Sequence, residues 1–140
     1  MGLEGIKIKL ENEVLEAQVS LHGAELKSLK QKAKGTEYMW KGDPAYWGRT
    51  SPVLFPFVGG VRDKKYRIGD VKYPMGQHGF ARDKDFALAS VTQREAWFVL
   101  EDDEETREVY PFPFRLEIGY RLEDKELLVM WRVTNTGSGD

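Results

Sequence analysis

The chain has two histidines and no cysteine. The lack of cysteine removes disulfides, thiol catalysis, Fe–S clusters and Cys-ligated zinc. His78 lies in Gln77-His78-Gly79-Phe80-Ala81-Arg82, a glycine-flanked loop sequence. A loop imidazole can hydrogen-bond or transfer protons near neutral pH, and it can equally pin loop backbone. His22 precedes Gly23-Ala24-Glu25 at an expected turn, where a structural role is the expectation. Two His without a third ligand nearby make a poor metal site, so no metal is expected. Arg49, Arg62 and Arg82 sit in or beside irregular segments. Their guanidinium forks can hold hydroxyls, carboxylates or phosphates, or simply stay solvated. No nucleophile elbow, P-loop, dinucleotide fingerprint or His-Glu-x-x-His pattern occurs.

These residues need elements to position them, and the dominant period along the chain is two. Ile6–Leu10, Leu15–Val19 and Phe114–Leu122 alternate apolar and polar residues, which predicts strands with one buried face. Asn12-Glu13 is expected to turn the first strand into the second, and Glu123-Asp124-Lys125 a later pair. Ala87–Val91 and Trp97–Leu100 read as two further short strands. Leu127–Thr134 is apolar on both faces and is expected to be a central strand covered on two sides. The acidic run Glu101–Glu105 reads as a solvated turn. No stretch carries a sustained helical apolar pattern. The expectation is an all-β protein, an antiparallel β-sandwich built largely as a meander.

Irregular segments interrupt this period. One starts at Gly42-Asp43-Pro44 and runs to Pro56, Gly59-Gly60 follows, and Tyr73–Arg82 holds Pro74, Gly76 and Gly79. Tyr46, Trp47, Phe55, Phe57, Tyr73 and Phe80 crowd these segments, as in loops that build a pocket on a sheet. Exposed rings suit the C–H faces of a sugar, although core packing is the commoner fate of Trp and Tyr.

With 140 residues, 21 Lys plus Arg and 23 Asp plus Glu, the chain is sized for one domain and carries a net charge of -2. That balance argues against nucleic acid as the main partner. No apolar run approaches the ~18 residues that span a bilayer, and the N-terminus lacks a signal-peptide pattern, so a cytoplasmic protein is expected.

Several loop motifs, in order, resemble the first half of an aldose 1-epimerase (galactose mutarotase-like) protein. They are Gly23-Ala24-Glu25-Leu26 with Ser28-Leu29, Glu37-Tyr38-Met39-Trp40, and Gly42-Asp43-Pro44-Ala45-Tyr46-Trp47. Ser51-Pro52-Val53-Leu54-Phe55-Pro56-Phe57-Val58-Gly59, Gln77-His78-Gly79-Phe80-Ala81-Arg82-Asp83 and Val133-Thr134-Asn135-Thr136-Gly137 follow. The resemblance implies that residues 1–140 are one domain, the N-terminal part of a β-supersandwich with a sugar cleft. It implies interconversion of the α and β anomers of a hexose by acid–base ring opening, with no cofactor. His78 then matches the family's first active-site His, with Arg62, Arg82, Phe80 and Trp47 as expected sugar contacts. Where the family places an Arg after Val58-Gly59, this chain has Gly60, and Arg62 is the nearest Arg.

The resemblance also places the family's second active-site His and its Glu base beyond the length of this chain. Glu25 and Glu37 do not match that base. The chain is thus expected to carry part of a site and to be incomplete alone, either a fragment or a half-domain that forms a homodimer through its uncovered last strand. The alternatives are a non-catalytic carbohydrate-binding or structural fragment, and a hexose-6-phosphate 1-epimerase-like protein, since those relatives share the Gln-His-Gly-Phe-Ala-Arg element.

Overall fold

Lys7–Glu11 (β1) and Leu15–Ser20 (β2) pair antiparallel from Lys7↔Ser20 to Glu11↔Glu16, as their alternation requires. The turn between them is closed by Asn12, whose Oδ1 accepts from the N–H groups of Val14 (2.9 Å) and Leu15 (2.7 Å). A third strand, Glu25–Gln31 (β3), pairs back on β2, and the two-residue Thr36–Glu37 (β4) completes a four-stranded sheet in the order β1-β2-β3-β4. The computed structural model describes residues 5–43, 45–46 and 48–137.

Lys65–Ile68 (β5) and Val71–Pro74 (β6) form a separate hairpin across Gly69-Asp70. The second four-stranded sheet runs β10-β9-β8-β7 and is a meander. Its strands are Ala87–Val91 (β7), Glu95–Glu101 (β8), Phe114–Glu123 (β9) and Glu126–Asn135 (β10). The sheets face each other across a core made of Leu10, Leu15, Ala17, Val19 and Leu26 from the first and Phe98, Leu116, Ile118, Tyr120 and Leu122 from the second. The antiparallel, almost wholly β architecture agrees with the periodicity. Asn12 Nδ2 donates to the Asp124 carbonyl (3.0 Å), so the two expected turns meet across the sandwich.

Three expectations are corrected. The acidic run is not a turn alone: Glu104–Val109 (α1) is a short helix, with Asp103 and Thr106 forming a capping box and Glu104 and Glu105 in its first turn. Six residues are too few to show a helical period, so only the cap could have announced it. Tyr73 and Pro74 belong to β6 and not to a loop. Among the described residues β10 is an edge strand, not a central one. Its pairing with β9 puts Val129, Trp131 and Val133 on the same face as the buried Tyr120, Ile118 and Leu116, yet these three are 50%, 49% and 56% exposed. The first sheet does not reach over them.

Candidate functional site

His78 is half-buried and has a positive φ of 63°, followed by Gly79 at 77°. The second value admits only glycine here, because a Cβ on Gly79 would lie 2.2 Å from the Phe55 carbonyl oxygen. That close approach is used: the Phe55 carbonyl accepts from the N–H groups of Phe80 (2.9 Å) and Ala81 (3.1 Å). The motif is therefore sewn to the Ser51–Gly59 segment. His78 itself makes a paired contact with Gly59. Its N–H donates to the Gly59 carbonyl (2.8 Å), and its Nδ1 accepts from the Gly59 N–H (2.7 Å). An accepting Nδ1 puts the neutral ring's proton on Nε2, which leaves Nε2–H as the donor for a ligand.

The chain leaves His78 through a tight turn, Ala81–Asp83. Arg49 clamps that turn: its Nη2 pairs with Asp83 Oδ1 (2.6 Å) and its Nη1 donates to the Arg82 carbonyl (3.3 Å). Gly23 completes the fit, since a Cβ there would stand 2.7 Å from the Arg82 carbonyl oxygen. Glu25, almost fully buried, accepts from the N–H groups of Thr50 (2.7 Å) and Ser51 (3.1 Å) through Oε2 and pairs with Lys27 (3.2 Å). Glu37 accepts from the Ser28 hydroxyl (2.5 Å) and from the Leu29 (2.8 Å) and Met39 (3.2 Å) N–H groups. Partial burial alone would raise the Glu37 carboxyl, but these donors hold it below the usual carboxylate value. Both acids are thus committed to holding backbone.

The other expected site residues are distributed unevenly. Phe80 packs edge-on against Phe55 (6.2 Å between ring centroids) and Tyr110 (6.3 Å), and it also lines a cavity of about 290 Å³ with Met75, Gly76, Gly79 and Lys84. Burial raises the Tyr110 phenol above its usual value, so the ring stays neutral in this cluster. Arg82 is half-buried, and its Nε has no hydrogen-bond partner among the described residues. Arg62 is exposed at the start of the turn Arg62–Lys64, just beyond Gly59. Trp47 lies outside the described residues. His22 is elsewhere: Nδ1 meets Asp85 Oδ1 (2.9 Å) beside a polar cleft of about 780 Å³ that is also lined by Glu25, Lys27, Arg49 and Asp83. His78, Phe80 and Arg82 share one short stretch of chain, in which His78 is bonded to Gly59 and Phe80 is packed into the Phe55–Tyr110 cluster.

Reading the residues singly missed Glu25 as a positioning group. The signal was its place in Gly23-Ala24-Glu25 on a strand start, where a carboxylate facing the core must find donors.

The family model of aldose 1-epimerases matches residues 7–140, so the chain that carries this sandwich and histidine motif belongs to the aldose 1-epimerase family. The chromosomal protein LacX of Lactococcus lactis subsp. lactis is 35% identical over 133 residues, which cover 91% of this chain and 44% of LacX. The galactose mutarotase related enzyme of Lactobacillus acidophilus superposes with a TM-score of 0.92 at 40% identity, covering 93% of this chain and 43% of that one. A galactose mutarotase-like protein of Lactobacillus casei ATCC 334 gives 0.93 at 40% identity, covering 96% and 46%. The chain thus spans less than half the length of these relatives. Among the described residues no helix is long and apolar enough to cross a membrane.

Proposed function

We propose that the chain supplies the His78 side of a sugar site in an isomerase that interconverts the α and β anomers of a hexose. The observation that carries this reading is the Gly59 N–H bond to His78 Nδ1 (2.7 Å), inside a chain of the aldose 1-epimerase family. It leaves Nε2–H able to donate to the ring oxygen. As that oxygen gains a proton and a base takes one from the anomeric hydroxyl, the C1–O bond breaks and an aldehyde forms. Rotation about C1–C2 and the reverse steps close the other anomer. No cofactor takes part. Glu25 and Glu37 are occupied by backbone donors, so in this reading the base and a second acid come from polypeptide that corresponds to the remainder of the relatives. Residues 1–140 are read as the N-terminal part of that domain, in a cytoplasmic protein.

Catalytic groups must be held within fractions of an ångström, so the isolated chain should turn over slowly. The test is NMR of this chain with glucose and galactose. Expected are sugar-dependent shifts at Gly59 and His78 that vanish in His78→Ala, with anomer exchange close to the buffer rate. Exchange accelerated equally by His78→Ala, or no response to any aldose or aldose phosphate, overturns the reading.

A phosphorylated hexose is the second reading, favoured by Arg82 in the motif, whose Nε has no hydrogen-bond partner among the described residues. Under it, glucose 6-phosphate binds at least tenfold more tightly than glucose, and Arg82→Gln removes the difference.

A further inference from the structure

Residues 49–59 belong to no strand or helix, yet they hold the His78 motif at three places. At one end Gly59 makes its two bonds with His78, and in the middle the Phe55 carbonyl accepts from Phe80 and Ala81. At the other end Arg49 grips the Arg82 carbonyl and Asp83. A segment without a hydrogen-bonded ladder of its own must be fixed by other partners before it can fix a side chain. Glu25 supplies them. It is 2% exposed, and its Oε2 accepts from the N–H groups of Thr50 (2.7 Å) and Ser51 (3.1 Å). The Ser51 hydroxyl donates to the Leu26 carbonyl (2.7 Å), so the start of β3 holds this segment twice. Glu25 is itself backed by the second sheet, because the Tyr120 hydroxyl donates to the Ala24 carbonyl (2.7 Å).

We propose that Glu25 is a positioning residue for His78: its carboxylate sets residues 49–59 and, through Gly59, the direction of the His78 imidazole. Its part in catalysis rests on the sugar reading above, whereas its part in the geometry does not. The position demands a carboxylate. Three donors converge on Oε2: the Thr50 and Ser51 N–H groups and the Lys27 ammonium (3.2 Å). A carboxylate only accepts, whereas the NH2 of an amide would face these donors without an acceptor. A buried polar group left unpaired is costly, so glutamine here is expected to push the segment away from β3. Thr50 adjoins Arg49, whose planar fork meets two partners at a fixed spacing, and a shift there loosens the Arg82–Asp83 end of the motif. The same shift, carried along to Gly59, breaks the N–H bond to Nδ1. Val53, 3% exposed in the core between Ser51 and Phe55, is the competing hold. If its burial were enough, the charge on Glu25 would not matter to His78.

The experiment is NMR of the 140-residue chain and of Glu25→Gln, reading the nitrogen–nitrogen coupling across the bond from the Gly59 N–H to His78 Nδ1. Wild type should show the coupling. In Glu25→Gln it should vanish and Gly59 amide exchange should quicken at least tenfold, with near-ultraviolet circular dichroism unchanged. Leu10→Val, a core change in β1 at the far edge of the first sheet, is the control for lost stability. It should lower the melting temperature and leave the coupling intact. Absence of the coupling in wild type, its retention in Glu25→Gln, or its loss in Leu10→Val as well overturns the proposal. If Glu25→Gln does not fold, native-state hydrogen exchange of wild type decides. The Thr50, Ser51, Gly59, Phe80 and Ala81 amides should then open as one unit, with protection factors within tenfold of each other, and a wider spread overturns the proposal. Glucose and galactose binding is read separately and should weaken at least fivefold in Glu25→Gln. Equal binding with the coupling lost overturns the catalytic part alone. A wild type that binds no sugar overturns the sugar reading, while the coupling still decides whether Glu25 positions His78.

Discussion

At the scale of single residues, the site depends on backbone geometry that only certain side chains allow. Gly79 combines a left-handed φ of 77° with a carbonyl oxygen 2.2 Å from where a Cβ would be. Left-handed backbone costs a substituted residue roughly 1–2 kcal/mol, and forcing atoms into a packed contact adds about 1–3 kcal/mol. Gly79→Ala is therefore expected to destabilise the chain by about 2–5 kcal/mol in urea unfolding. Gly76, in the same loop, has open space around it, and Gly76→Ala should stay within about 0.5 kcal/mol of wild type. Equal effects from the two would show that the Phe55–Gly79 approach does not hold the motif. His78 was legible from its glycine-flanked loop, and the structure shows it holding Gly59, the use that residue type alone could not separate from a functional one. Glu25 and Arg49 were harder to read, since their partners are backbone groups that no spacing rule locates.

At the scale of elements, the strands were legible wherever one face is wet and the other buried. β1, β2 and β9 alternate because the first sheet and the second each bury one side. The hairpin β5–β6 was missed because its Gly69-Asp70 turn lies between short, mostly exposed strands with little apolar contrast. The helix α1 was missed for its length. Its attachment to β9 is electrostatic as well as apolar: Asp102 accepts from the Phe114 N–H (3.1 Å) and pairs with Arg107 (2.8 Å). Burial would raise the Asp102 carboxyl, but Arg107 and the backbone donors outweigh it and hold the group below its ordinary value of 3.8. A carboxylate depressed by folding stabilises the native state above the ordinary value, and that contribution is lost as pH falls through the folded one. Asp102→Asn keeps an oxygen for Phe114 but has no charge to lose. Its stability should therefore fall less than wild type's as the pH drops below about 4. Thermal melts over that window check this, and parallel curves for the two proteins would remove Asp102 as an acid-sensitive tie.

At the scale of the whole molecule, β10 shows what apolar composition does and does not encode. A run apolar on both faces marks a strand that must be covered, but whether neighbouring chain does the covering depends on how far the facing sheet extends. Here the first sheet stops short, and the stripe Val129–Trp131–Val133 continues the core into the open.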